Sequence, residues 1–277
     1  MKIELAYDGT QFNGYAKQIK GEGLRTVQND LESALSMICH TPILTVVAGR
    51  TDAGVHATQQ FVHADIPNDP YNGKNWDIEN WPYLLNRILR DDVRVVKVER
   101  AAPYFHARFS AIERSYEYKI ADNLQFIPPL KRLDVASWFR PLDEVKMNEA
   151  CAEFIGEFDF YSFCKFREGS STIRALRRFE WVRENSGYLT AYITADAFCY
   201  NMVRNLVGAA VCIGEGRFEK SWMLDLLHNH RRPSESYSFP ARGLTLTSIV
   251  YPPDDELLAR AQRTIARRDE QRQRDDE

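Results

Sequence analysis

An arginine and an aspartate two residues apart, Arg50 and Asp52, sit in the stretch VVAGRTDAGVHA (Val46–Ala57), where a β-branched run gives way to a loop framed by Gly49 and Gly54. In extended chain, alternate residues project to the same side, so the two side chains face one way. Glycine at 49 and 54 permits backbone angles or close approach that a larger residue would forbid. A lone carboxylate with a cation beside it can act as a nucleophile or as a general base. The same residues would also make an ordinary Asp-Ala-Gly turn with a surface ion pair.

A second unusual charge lies in FCYNMVRNLVGAA. Met202, Val203, Leu206, Val207 and Ala210 fall on one helical face, yet Arg204 stands in their midst. Asn201, Arg204 and Gly208 share a narrow strip at i, i+3, i+7. A partly buried arginine requires an anionic partner, for which Asp52 is a candidate; the alternative is a rim arginine facing water. Such a pair would hold Asp52 ionised and oriented. From Lys165 to Arg183 the chain carries six basic residues (Lys165, Arg167, Arg174, Arg177, Arg178, Arg183) against Glu168 and Glu180. That segment is either a solvated strand pair or a stripe that contacts phosphates.

Other chemistries lack their residues. A glycosidase needs two facing carboxylates, and no second acid has a comparable setting. The G-x-S-x-G nucleophile elbow and the G-x-x-x-x-G-K-[ST] phosphate loop are missing. His228 and His230 in LLHNHRR are too isolated for a metal site. Five scattered cysteines without a C-x-x-C suggest neither a disulfide framework nor a zinc knuckle.

The elements that must position these residues follow from periodicity. KIELAYD reads as a strand, followed by a turn through Gly9, Gly14, Gly21 and Gly23. Thr26 can cap a helix with Val27, Leu31, Leu35 and Ile38 on one face. ILTVVA and TQQFVHADI are strands on either side of the Asp52 loop. Pro82 suits the first turn of a helix carrying Leu84, Leu85, Ile88 and Leu89, and VRVVKVE is a strand. The order then repeats. SYEYKIA alternates Tyr116, Tyr118 and Ile120 against polar residues. A helix with Met147, Ala150, Cys151, Phe154 and Ile155 follows. LRRFEWVRE and YLTAYITA form a hairpin around Asn185-Ser186-Gly187, NMVRNLVGAAVCIG and SWMLDLLH are helices, and LTLTSIVY is the last strand.

Each half reads β-α-β-β-α-β. The expected fold is α+β: two tandem ferredoxin-like halves forming a mostly antiparallel sheet around a central catalytic cleft. The expected boundaries are 1–108 for the half with the Asp52 loop, 109–253 for the second half, and 254–277 for a charged tail, a solvated helix with a frayed end. A hydrophobic content of 44% over 277 residues suffices for a substantial core. No apolar run approaches the roughly 20 residues of a membrane span. The first residues read as a strand and turn rather than a signal peptide, so a cytoplasmic location is expected. A net charge of −3 argues against indiscriminate coating of nucleic acid, although local charge matters more than the sum.

Taken together, GRTDAGVHA, FHARFSAIERSYEYKI and NMVRNLVGA strongly resemble the TruA family of tRNA pseudouridine synthases. The likeness extends through YDGTQFNGY, RTVQNDLESAL, LLNRIL, GEFDFYSF and ARGLTLTSIVYP, in order and over nearly the whole chain. The resemblance implies an enzyme that cuts the uridine N-glycosidic bond, rotates the uracil and rejoins it through C5, without cofactor or metal. It implies that Asp52 is the essential acid, by attack at C1′ or by proton removal from C2′. By the same likeness Arg50 fills the space left by the flipped base, Tyr116 packs on the uracil, and Arg204 pairs with the aspartate. Flipping is needed because C1′ and C5 cannot both be rearranged within a stacked helix. The basic segment around Arg174 to Arg178 becomes a phosphate track on folded RNA. The family implies a homodimer acting on tRNA, at uridines 38 to 40 of the anticodon stem-loop. The chain departs from the family pattern at Tyr15 (commonly Trp), Arg90 (Pro), Phe158 (His) and Asn201 (His), which bears on substrate choice. A pair of RNA-binding domains without catalysis would lack a reason for Arg50, Asp52 and Arg204, and shows no aromatic RNP signature. An N-glycosidase that releases the base would share the first chemical step.

Overall fold

The computed structural model describes residues 1–18, 23–67, 77–122, 127–165, 171–229 and 238–264. They form an α+β protein of two compact units, one of residues 1–112 with the described residues from 246 onward, the other of 113–245. Among the described residues no helix is long and apolar enough to cross a membrane.

The first unit runs β1 (Lys2–Tyr7), α1 (Val27–Cys39), β2 (Val46–Val47), β3 (His56–His63), α2 (Trp81–Ile88) and β4 (Val93–Glu99). Strand β1 lies between β3 and β4 and is antiparallel to both. Burial alternates along β1, with Ile3, Leu5 and Tyr7 inward, as period-2 packing demands. Thr26 is extended and its hydroxyl accepts from the Asn29 N–H at 3.2 Å, so it caps α1 as its sequence position suggests. Pro82 occupies the first turn of α2, where no intrahelical N–H is missed. The expected strand over 43–48 narrows to Val46–Val47. The reason is a buried acid: Glu32 Oε1 accepts from the Thr45 N–H at 2.7 Å and the Thr45 hydroxyl at 2.9 Å, taking over the bond a ladder partner would make.

The second unit runs β5 (Glu113–Ala121), β6 (Ala136–Ser137), α3 (Glu144–Cys151), β7 (Gly156–Asp159), β8 (Ile173–Arg183), β9 (Leu189–Ala195), α4 (Met202–Gly214) and α5 (Lys220–His228). Its strands lie in the order β5-β9-β8-β7, antiparallel throughout, with β6 added parallel to β5. The β8–β9 turn closes through the Glu184 N–H on Tyr188 O and the Gly187 N–H on Glu184 O, both 2.8 Å, at the Asn-Ser-Gly expected there. Helix α3 stops at Cys151, so Ile155 leaves the apolar face and is exposed, while Phe154 stays buried. Helix α4 buries Met202, Val203, Leu206, Val207 and Ala210 as its spacing predicts.

The last strand, β10 (Leu244–Val250), groups from Leu246 with the first unit, beside β3. The Thr58 hydroxyl donates to Leu246 O at 3.5 Å, and the Ile249 N–H donates to Gln59 Oε1 at 3.2 Å. The helical residues 257–264 are docked rather than solvated throughout: Leu257 is 1% exposed, Arg260 donates to Ala111 O at 3.2 Å and Thr264 to Phe109 O at 3.1 Å. The remainder of the expected tail, 265–277, lies outside the described residues, as do Gly21, Arg167, Glu168 and His230.

Candidate active site

In the first unit, Asp52 opens a tight turn. The Val55 N–H donates to Asp52 O at 3.1 Å, and Gly54 at the third position has φ 79°, which a type II turn requires. Arg50 is exposed, Thr51 buried and Asp52 half-buried, so the alternation read from the sequence holds. What fixes the turn lies outside it. Gln60, fully buried on β3, donates to Gly49 O at 2.7 Å and to the Tyr7 hydroxyl at 3.4 Å. Tyr7 shares a 2.7 Å hydrogen bond with the Thr51 hydroxyl, in which either oxygen can donate. Burial pushes the Tyr7 phenol up to about 12, so it remains neutral at physiological pH. The Tyr15 N–H donates to Thr51 O at 3.0 Å and the Gly54 N–H to Phe12 O at 3.3 Å. Gly49 and Thr51, before the carboxylate, are thereby held by backbone and buried side chains, which is the rigidity a positioned acid needs.

Of the two glycines the sequence singled out, Gly54 is required by its φ of 79°, whereas Gly49 is not. A Cβ on Gly49 would meet nothing within 4 Å. A Cβ on Gly9 would lie 2.0 Å from Val55 O, inside any tolerable contact, and Gly14 (φ 90°) has Thr51 O at 3.0 Å from its Cβ position. Close approach is therefore required of the Gly9–Gly14 loop that packs onto the turn.

That loop is tied down by Arg25. Its guanidinium donates to Asp92 at 2.5 and 2.8 Å and to Asp30 at 2.7 and 2.9 Å, and lies 4.1 Å from the Phe12 ring centre. Its backbone oxygen accepts from the Asn13 N–H at 2.9 Å. The paired guanidinium holds the Asp92 carboxyl below the usual carboxylate range. Thus one side chain joins the loop, the start of α1 and the start of β4.

The second unit carries Tyr116, Arg174 and Arg204. Tyr116, on β5 opposite Ile193 of β9, is 8% exposed and meets the Phe198 ring edge-on at 5.1 Å. Arg204, half-buried on α4, donates through Nε to Phe239 O at 2.5 Å and through Nη1 to Asn201 Oδ1 at 3.1 Å. Asn201 adopts φ 67°, a left-handed conformation that asparagine tolerates, and places its amide where it orients Arg204. Of the other departures from the resembled family, Tyr15 is fully buried and Phe158 on β7 stands opposite Arg174. Among the described residues no group of three or more His, Cys, Asp or Glu side chains is arranged to hold a metal ion.

Comparison with known proteins fits this arrangement. A family model described as tRNA pseudouridine synthase matches residues 150–252. A tRNA pseudouridine synthase A of Frankia casuarinae is 44% identical over 268 residues, covering 96% of this chain and 94% of the relative. Proteins of the same name from Mycobacterium leprae and Streptomyces avermitilis are each 43% identical, covering 94% of this chain and 92% and 90% of their own lengths. The chain belongs to the tRNA pseudouridine synthase A family.

In this member of the tRNA pseudouridine synthase A family, the charges of the second unit's basic segment are unevenly committed. Arg183 donates bidentately to the buried Asp122 at 2.8 and 2.9 Å and reaches Glu144 at 3.2 Å. Burial would raise the Asp122 carboxyl, but Arg183 and the Leu142 N–H hold it below its ordinary range. Arg177 pairs with Glu113 at 2.5 Å, and Arg178 pairs with Glu180 while lying 4.5 Å from the Tyr192 ring centre. Arg174 donates to Ile173 O at 2.5 Å and Ser171 O at 2.6 Å. Arg183 and Arg177 are thus paired with acids from distant positions, Asp122, Glu144 and Glu113, which no local pattern reveals, whereas Glu180 lies within the segment itself. Sequence reasoning also missed Gln60, Tyr7 and Arg25 as positioning residues.

Proposed function

We propose that the chain isomerises uridine to pseudouridine in the anticodon stem-loop of tRNA, at positions 38 to 40, with Asp52 as the essential acid. The observation that carries the proposal is the half-buried Asp52 on a turn held by Gln60, Tyr7 and Tyr15, beside an exposed Arg50. The target base leaves the stack, Arg50 takes its place, and the uracil packs on Tyr116. The C1′–N1 bond breaks, the uracil turns, and C1′ bonds to C5; C5 loses its proton and N1 gains one. Asp52 acts by attack at C1′ or by taking the C2′ proton. Arg204 pairs with the Asp52 carboxylate and keeps it ionised, and Arg174 contacts a phosphate. The organisation into two ferredoxin-like halves, a homodimer as the acting form and a cytoplasmic location belong to the same reading.

The test uses an unmodified tRNA transcript with uridines in its anticodon arm, mapped by carbodiimide labelling and primer extension. Wild-type protein gives new stops at 38 to 40, and Asp52→Ala gives none. Equal modification by Asp52→Ala would remove Asp52 from the chemistry. Release of free uracil would indicate a glycosidase, and stops elsewhere would refute the anticodon assignment.

A further inference from the structure

Five cysteines without a local motif gave no reason to expect a cross-link, yet the sulfurs of Cys164 and Cys199 are bonded, their Cα atoms 5.8 Å apart. That spacing falls within the roughly 4.4–6.8 Å that a disulfide spans without moving the backbone. Cys39, Cys151 and Cys212 are buried and lie outside the cross-link, and burial raises the Cys39 and Cys151 thiols, which keeps both unreactive.

The bond joins two segments that matter to the second unit. Cys164 follows Phe163, whose carbonyl accepts from Asn205 of α4 at 2.8 Å, and the Lys165 N–H donates to Tyr200 O at 2.8 Å. Cys199 stands between Phe198, which meets Tyr116 edge-on, and Asn201, which orients Arg204; its own carbonyl accepts from the Met202 N–H at 3.1 Å at the start of α4. Cys164 is 3% exposed, whereas Cys199 is half-buried, so a dissolved reagent reaches Cys199 first.

We propose that Cys164 and Cys199 are a reversible oxidation site, cross-linked by small-molecule disulfides, whose closure clamps the segment holding Phe198 and Asn201 against Tyr116 and Arg204. The Cys199 thiolate attacks one sulfur of the small disulfide, and one reduced small thiol leaves. Cys164 then attacks the Cys199 sulfur and releases the second. Two protein thiols and one small disulfide become one protein disulfide and two small thiols, with two electrons passing to the small molecule. In the dithiol form the sulfurs stand on the order of 1.5 Å farther apart than when bonded, so the 198–201 segment loosens. The clamp's catalytic consequence rests on the function proposed above; the cross-link does not.

The full-length protein is equilibrated with graded ratios of reduced to oxidised glutathione, alkylated with N-ethylmaleimide, and read by intact mass and peptide mapping. The expected result is a reversible species about two hydrogens lighter that contains the 164–199 cross-linked peptide and melts roughly 5–10 °C higher. Cys164→Ser leaves Cys199 to form a mixed disulfide with glutathione, whereas Cys199→Ser leaves Cys164 largely unmodified. Full alkylation of both cysteines at every ratio, or a cross-link through Cys39, Cys151 or Cys212 instead, overturns the site. With tRNA, the oxidised form shows a KM at least about threefold lower with kcat within about twofold, as preorganisation requires. Both serine variants keep the higher KM under all conditions. Equal KM for the two forms overturns the clamp. Failure of both forms to isomerise any tRNA strikes the proposed function instead, because the mass readout needs no activity.

Discussion

The contact between Gly9 and Val55 gives a test of how Asp52 is positioned. In Gly9→Ala the new Cβ starts 2.0 Å from Val55 O, whereas real Cβ contacts stay beyond about 3.0 Å. The loop and the turn must therefore part by about 1 Å at that point. Val55 closes the turn onto Asp52 O, so the displacement passes to the carboxylate-bearing residue through a single hydrogen bond. A shift of that size at a reacting group costs on the order of 100-fold in kcat. The accompanying overpacking costs about 1–3 kcal/mol of stability. The comparison variant is Gly49→Ala, whose Cβ meets nothing within 4 Å; its stability stays within about 0.5 kcal/mol of wild type. Single-turnover pseudouridine formation gives the rate, and urea unfolding gives the stability. Wild-type rate and midpoint for Gly9→Ala would refute the claim that this contact holds the turn. So would a larger stability loss for Gly49→Ala than for Gly9→Ala.

The arginines of the second unit separate by role. Arg183→Met leaves the buried Asp122 carboxylate without its partner and lowers stability by about 3–5 kcal/mol in urea titration. Arg174→Ala leaves the unfolding midpoint unchanged but weakens tRNA binding and reduces its salt slope by about 1; an unchanged slope would remove Arg174 from the phosphate contacts. Stability also falls in mild acid through His63. Burial, then the neighbouring His106, lowers its pKa from 6.5 to about 4, and the ring nitrogen accepts the Ala107 N–H at 3.0 Å. The unfolded chain then binds the extra proton, so this contribution is complete above pH 6.5 and is lost as pH falls toward 4, with about 2 kcal/mol gone at pH 5. His63→Gln should flatten the dependence of the urea midpoint on pH between 7 and 5, and an unaltered slope would show that His63 is not its source.

Most elements were legible because their signals are local. Thr26 before an apolar i, i+4 pattern, Pro82 in a first turn, and Asn-Ser-Gly between two alternating runs each state their structure within a few residues. The Arg50–Asp52 loop was legible for the same reason. What escaped depends on partners far apart in the chain. Gln60 reaches Gly49 and Tyr7, Arg25 reaches Asp92, and Glu32 replaces the ladder bond of Thr45. Cys164 and Cys199 are 35 residues apart with nothing between them to announce a bond. Gly49 misled because glycine in a loop resembles a requirement, whereas the close approach belongs to Gly9, which meets the turn only after folding.

On the proposed reading, the charged pairs of the second unit let a chain of net charge −3 still offer cations to RNA. Asp122 is almost wholly buried, so Arg183 cannot leave it without stranding a carboxylate away from water, and a phosphate offers no compensation. Arg177 and Arg178 differ: their side chains are 46% and 48% exposed and their pairs with Glu113 and Glu180 stand at the surface. Such pairs contribute about 0–1 kcal/mol, and the released glutamate remains hydrated. On the proposed reading, a phosphate can therefore take either arginine from its glutamate at little cost. Opposite charges at the surface thus favour ligands whose phosphates reach the arginines in the right positions, and shape becomes the basis of selection.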